Sequence, residues 1–147
     1  MKEKKPYVKA TSDIYGGERR QEKGDRKVGQ KVCKFEDLEV WKEGLRLATN
    51  IYRVLRTCGD YGLRDQMQRA AVSIPSNIAE GFERNTNKDF IRFLYIAKGS
   101  CSELRTQIYL ATEIDIIDKI IGNQLLESTV KISSMLYNFI KVRKERF

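Results

Sequence analysis

Apolar and polar residues alternate with a helical period along most of this chain, most densely over Tyr61 to Arg84, YGLRDQMQRAAVSIPSNIAEGFER. At 100° per residue, Leu63, Met67, Ala70, Ala71, Ile74, Pro75, Ile78, Gly81 and Phe82 share one side. Asp65, Arg69, Ser73, Ser76, Glu80 and Glu83 share the other, with Asn77 and Arg84 at the border. Small residues (Ala70, Ala71, Ser73, Ser76, Ala79, Gly81) fill the middle, so a neighbouring backbone can come close there. Pro75 removes a helical hydrogen bond at a cost of roughly 3 kcal/mol, so this helix needs packing from outside to hold it.

The flanking segments supply that packing. A first helix is predicted from about Glu36 to Cys58, with two apolar seams. One seam is Leu38, Trp41, Leu45, Ala48, Tyr52 and Leu55; the other is Val40, Gly44, Leu47, Ile51, Val54 and Cys58. A single heptad seam serves a bundle core. Two adjacent seams predict either deep burial or, for the second, contact with another subunit. Gly59 is placed to end this helix at its C′ position. After the turn Arg84-Asn85-Thr86-Asn87, Thr86 and Asp89 have the spacing of a capping box for a third helix. Its seam is Phe90, Leu94, Ala97, Cys101, Leu104, Ile108 and Ala111, with Gly99, Ser100 and Ser102 again permitting close contact. The pattern breaks near Asp115–Asp118, either of which can cap the next helix. That fourth helix carries Ile121, Leu125, Ser128, Ile132, Met135, Phe139 and Val142. Four helices on short turns predict an all-α, antiparallel up-down-up-down four-helix bundle over 35–147.

Residues 1–34 break the periodicity. Gly16, Gly17, Gly24 and Gly29 stand among frequent charges and few large apolar groups, so burial cannot offset the entropy of ordering them. A flexible basic arm is the expectation. The net charge of +8 is concentrated accordingly. Residues 1–34 hold 11 Lys/Arg against 5 Asp/Glu (+6) and residues 141–147 hold 4 against 1 (+3), leaving −1 for residues 35–140. Clustered Lys/Arg favours an anionic partner such as nucleic acid through counterion release, though a solvated tail that aids solubility has the same composition.

Catalytic chemistry finds little support. The chain has no histidine, hence no imidazole base or metal ligand. Cys33, Cys58 and Cys101 form no CxxC pair, and two of them lie on apolar seams, as inert thiols do. Phosphate-loop, dinucleotide and zinc spacings are absent. Glu80, Glu83, Glu103 and Asp65 lack the Glu-x-x-His partners of a di-iron bundle. No enzyme activity, metal, cofactor or small-molecule substrate is expected. No run approaches 18 apolar residues, so no membrane span is expected, and an odd number of cysteines without a CxxC pair or a secretory signal points to the cytoplasm.

The polar strip on the second helix admits three readings: a solvated face, a hydrogen-bonded contact between subunits, or a phosphate strip. Interleaved negative charges argue against the last. The candidate subunit-interface residues are Arg69, Ser73, Asn77, Glu80, Arg84 and Glu103, with Arg69 or Arg84 pairing Glu103 or Glu80 of another helix or chain.

Residues 35–113 resemble the four-helix-bundle proteins encoded in intervening sequences of bacterial 23S ribosomal RNA genes. The resemblance rests on FEDLEVWKEG, YGLRDQMQRAAVSIPSNIAEGFER and FIRFLYIAKGSCSELRTQ, above all on Arg69-Ala70-Ala71, Ser73-Ile74 and Asn77-Ile78-Ala79-Glu80-Gly81. The fourth helix agrees only in character, and residues 1–34 have no counterpart. The resemblance implies a compact bundle, a ring-like homopentamer, a bacterial cytoplasmic setting and no catalytic residues. Related bundles are accessory proteins of diversity-generating retroelements, joining a reverse transcriptase and RNA, but this chain is more similar to the intervening-sequence branch.

Together these observations predict an oligomeric bundle that binds RNA or an RNA–protein complex through its ends. The candidate contacts are Lys2, Lys4, Lys5, Arg19, Arg20, Arg26, Lys27, Lys141, Arg143, Lys144 and Arg146. The alternative is a structural module whose partner is protein, including a reverse-transcriptase accessory role, without direct nucleic-acid contact.

Overall fold

A computed structural model describes residues 32–147. After a 3₁₀ turn at Phe35–Asp37 come four helices: α1 (Glu39–Val54), α2 (Tyr61–Phe82), α3 (Asn87–Glu113) and α4 (Lys119–Arg146). Among the described residues there is no strand. The arm predicted for residues 1–34, and with it Lys2, Lys4, Lys5, Arg19, Arg20, Arg26 and Lys27, lies outside the described residues save for Val32, Cys33 and Lys34.

Contacts fix the directions of the helices. Ser73 of α2 faces Ser100 of α3 at 2.9 Å between hydroxyls, while Gly81, later in α2, abuts Phe90 and Phe93, earlier in α3. Asn87 at the start of α3 bonds Arg143 near the end of α4, and Gly122 near the start of α4 abuts Thr112 near the end of α3. Gly44, early in α1, lies against Ile74 and Pro75, late in α2. Consecutive helices therefore run antiparallel and form a four-helix bundle.

The core forms where the periodicity places it on α2 and α3. Leu63, Met67, Ala70, Ala71, Ile74, Pro75, Ile78 and Gly81 are buried on α2, and the whole predicted α3 seam from Phe90 to Ala111 is buried. The small-residue stretch serves close approach. A Cβ on Gly44 would stand 3.2 Å from Ile74 Cγ2 and 3.5 Å from the Pro75 ring, so α1 crosses α2 at its proline. That contact supplies the external packing which a proline inside a helix requires.

The ends of the helices are set by side chains. Asp60 caps α2 by accepting from Leu63 N–H at 3.0 Å. Thr86 caps α3 by accepting from Asp89 N–H at 3.1 Å, and its hydroxyl donates back to the Asp89 carboxylate at 2.8 Å. Of the two aspartates predicted to cap α4, Asp118 does so through Ile120 and Ile121 N–H. Asp115 instead has φ 59° and closes α3: its N–H donates to Thr112 O at 3.2 Å and Ile116 N–H to Ala111 O at 2.8 Å, the paired bonds of a Schellman motif.

Three sequence expectations need correction. The first helix is shorter than Glu36–Cys58, because Leu38 is extended (φ −74°, ψ 119°) and separates the 3₁₀ turn from α1, which ends at Val54. Gly59 is thus too late to be its C′ residue. The seams of α1 also exchange roles. Val40, Gly44, Leu47, Ile51 and Val54, the seam for which the sequence leaves either deep burial or contact with another subunit open, face this chain's own core. The other seam turns partly outward, leaving Leu45 46% and Tyr52 49% exposed. On α4 the buried line is Ile121, Leu125, Thr129, Ile132, Leu136 and Ile140 rather than one ending in Met135, Phe139 and Val142. A straight helix drifts about 20° per heptad, and an eleven-residue step (Ile121 to Ile132, Leu125 to Leu136, Thr129 to Ile140) follows that drift.

Candidate functional site

Four antiparallel helices place the start of α1, the end of α2, the start of α3 and the end of α4 at one pole. The first described residue and the basic end of α4 therefore share that pole. Phe82, Phe90 and Phe139 close the core beneath it, with edge-on rings at centroid separations of 5.9 Å (Phe82–Phe90) and 5.4 Å (Phe90–Phe139).

The four basic candidates on α4 separate into two pairs. Arg143 is half-buried and tied to α3: its Nε donates to Asn87 Oδ1 at 2.7 Å while Asn87 Nδ2 donates to its carbonyl at 3.1 Å. Its guanidinium also lies 5.0 Å from the Phe90 ring centroid and 4.1 Å from that of Phe147. Lys144 donates to the Tyr95 hydroxyl at 2.8 Å. These two residues fasten α4 to α3, whereas Lys141 and Arg146 stand exposed.

Beside them runs an open groove of about 910 Å³ lined by Lys88, Arg92, Tyr95, Ile91 and Ile96, with Thr86 and Asp89 at its head. Lys88 and Arg92 are one helical turn apart, and Tyr95 is 47% exposed. Cations around an exposed ring can pair with phosphates and stack a base. Sequence reasoning missed Lys88, Arg92 and Tyr95. Their spacing on α3 was visible, but not that α4 returns its basic end to the same place.

The six candidate interface residues do not form one cluster. Ser73 and Asn77 belong to a network inside the subunit: Asn77 Nδ2 donates to Ser73 O at 2.7 Å and to Ser73 Oγ at 2.8 Å, and Ser73 reaches Ser100. Arg84, just past the end of α2, pairs with Glu80 of that helix at 2.5 Å and covers the Phe93 ring. Arg69 and Glu103 are exposed on α2 and α3, with no ion pair among the described residues.

Other chemistry is sparse. Among the described residues no group of three or more His, Cys, Asp and Glu side chains is placed to hold a metal ion, and no helix is long and apolar enough to cross a membrane. The Cys101 thiol is pushed up to about 12 by burial, against which the charges of Arg105 and Lys98 are the smaller effect.

Comparison with known proteins places this architecture. No curated protein matches the chain. A crystal structure of a protein of unknown function from the S23 ribosomal protein family of Bacteroides thetaiotaomicron superposes with a TM-score of 0.66 at 24% identity, covering 69% of this chain and 98% of that one. At that identity the likeness speaks for the fold alone. The family model described as 23S rRNA-intervening sequence protein matches residues 36–138, from the 3₁₀ turn through α3 and most of α4. The chain belongs to the 23S rRNA-intervening sequence protein family.

Proposed function

We propose that this protein is a non-enzymatic cytoplasmic bundle that assembles with copies of itself, as a homopentamer, and binds RNA or an RNA–protein complex at the pole where its chain ends emerge. The observation that carries this reading is that Lys144 ties the basic end of α4, where Lys141 and Arg146 stand exposed, to Tyr95 in the groove that Lys88 and Arg92 line. The remainder of the bundle is nearly neutral, so contact with polyanions concentrates at this end. Arg143 and Lys144 support the site by positioning α4 and contribute less of their charge to a ligand.

Titration of the full chain with single-stranded RNA at several salt concentrations tests the reading. Affinity is expected to fall steeply with salt, because each neutralised phosphate adds about 0.7 to the slope for a single strand. Lys141→Glu with Arg146→Glu is expected to flatten that slope while leaving the helical content intact. Salt-insensitive binding, or an unchanged slope in the variant, overturns the reading and favours a protein-docking module. The exposed Leu45, Tyr52, Tyr109 and Leu110 support that second reading.

A further inference from the structure

The opposite pole carries a second cationic feature that the sequence did not single out. Where α1 ends and α2 begins, a groove of about 380 Å³ opens between the two helices. Its size falls in the roughly 300–1,000 Å³ range of small-ligand sites. Leu55, fully buried, forms its floor, and Tyr52, Arg53, Arg56, Arg64 and Gln68 line its walls with no carboxylate among them.

Like charges close together repel unless an anion joins them, so the local compensation of the three arginines that line this groove matters. Arg53 and Arg56 are exposed and make no ion pair among the described residues. Arg64 meets Asp65 only loosely, at 3.4 Å, and its guanidinium lies 4.6 Å from the Tyr61 ring centroid. Asp60, the other acid at this turn, already accepts from Leu63 N–H as the cap of α2. Arg53 and Arg56, both lining the groove, therefore have no matching acid among the described residues. Interaction with the C-terminal dipole of α1 accounts for Arg53, which lies in its last turn, but not for Arg56, which lies beyond it.

The chemistry that these groups suit is specific. Guanidinium forks pair with phosphate oxygens in a planar, two-bond geometry that an ammonium cannot offer. Tyr52, 49% exposed on the rim, presents a flat face on which a base can stack. The Gln68 amide can both donate and accept.

We propose that the α1–α2 groove is a nucleotide-phosphate site, with Arg53, Arg56 and Arg64 holding the phosphate and Tyr52 stacking the adjoining base. The phosphate belongs to a free mononucleotide or to a single-stranded RNA backbone. The proposal goes beyond the basic pole of the chain ends and uses none of its residues.

The test uses the full chain with two probes: a uridine octamer carrying one photoreactive 4-thiouridine, and AMP as competitor. Irradiation followed by peptide mass spectrometry is expected to place a cross-link at or beside Tyr52. Arg53→Ala with Arg56→Ala is expected to reduce that cross-link and octamer affinity about tenfold, since lost hydrogen bonds to a charged group are worth that much. Both side chains are exposed, so the thermal melt should move little, by no more than the loss of Arg53 from the last turn of α1. Lys141→Glu with Arg146→Glu leaves the Tyr52 cross-link in place, which separates this site from the basic pole. Competition by AMP shows that the groove takes a free nucleotide, and failure of AMP to compete restricts it to the RNA backbone. Absence of any cross-link at the groove, or affinity within twofold of wild type in the double arginine variant, overturns the proposal.

Discussion

Glu43 shows how much a single residue can depend on partners distant in sequence. It receives Arg46 of its own helix at 2.5 Å and Lys131 of α4 at 3.1 Å. Burial pushes its carboxyl up, but hydrogen bonds from Lys131 and Arg46, with their charges, outweigh burial and hold it below the ordinary value. A carboxyl lowered in the fold stabilises it above the unfolded pKa, and that contribution disappears as the pH falls through the lowered value. Glu43→Gln should therefore cost about 0.5–1 kcal/mol at pH 7, as partly exposed pairs do. Thermal melts of variant and parent should converge in acid below pH 4, and a constant gap would exclude the ion pairs as the cause. Cys101 illustrates the opposite sign. With its thiol held neutral up to about 12 and 1% exposed, it should resist iodoacetamide at pH 8 in the native protein and react once denatured, as site-resolved mass spectrometry can follow.

At the scale of the element, glycines separate internal contacts from outward ones. A Cβ on Gly81 would stand 2.6 Å from Phe93 Cβ and 3.3 Å from Phe90 O, groups that cannot rotate away. Gly81→Ala should cost about 1–3 kcal/mol as an overpacked contact. Gly99 has nothing within 4 Å. Gly99→Ala in a separate subunit should gain about 0.5–1 kcal/mol from helix propensity. Urea unfolding of the two variants gives both signs, and a stabilising Gly81→Ala would mean that α2 and α3 are farther apart than described. Much of this was legible in the sequence. The faces of α2 and α3 followed from period alone, since each helix has one apolar side and packs on neighbours in the chain. For α1 the period revealed two seams but not which met the core, because that depends on the crossing of Gly44 over Pro75. For α4 a strict heptad was the wrong ruler, since the straight helix drifts past it within two turns of Ile132. The basic ends were equally plain as charge, yet Arg143 could not be foreseen as a fastener, since Asn87 lies on another helix.

For the molecule as a whole, the question is what covers the apolar residues left outside the core. Isolated exposed side chains are ordinary on a monomer. Here Ile96 and Leu110, both at least 42% exposed, share one outer side of α3 with Gly99 and Glu103 between them. Ser73 opposite Ser100 sets the register that brings Arg69 of α2 level with this stretch. An apolar line bordered by an Arg and a Glu without ion pairs among the described residues has the composition of a subunit contact, greasy at the centre and charged at the rim. On the proposed homo-oligomer, Ile96→Glu with Leu110→Glu should reduce the mass in sedimentation or light scattering to that of one subunit without loss of helical signal, because neither residue contributes to the core. Arg69→Glu should weaken assembly less and restore it when combined with Glu103→Arg, if the two pair between copies. Should the Ile96 and Leu110 variant keep the parent's mass, the outer side of α3 is not where copies meet. The partly exposed α1 seam of Leu45 and Tyr52, which borders the arginine groove, would then be the next face to probe, and assembly and nucleotide binding would compete for Tyr52.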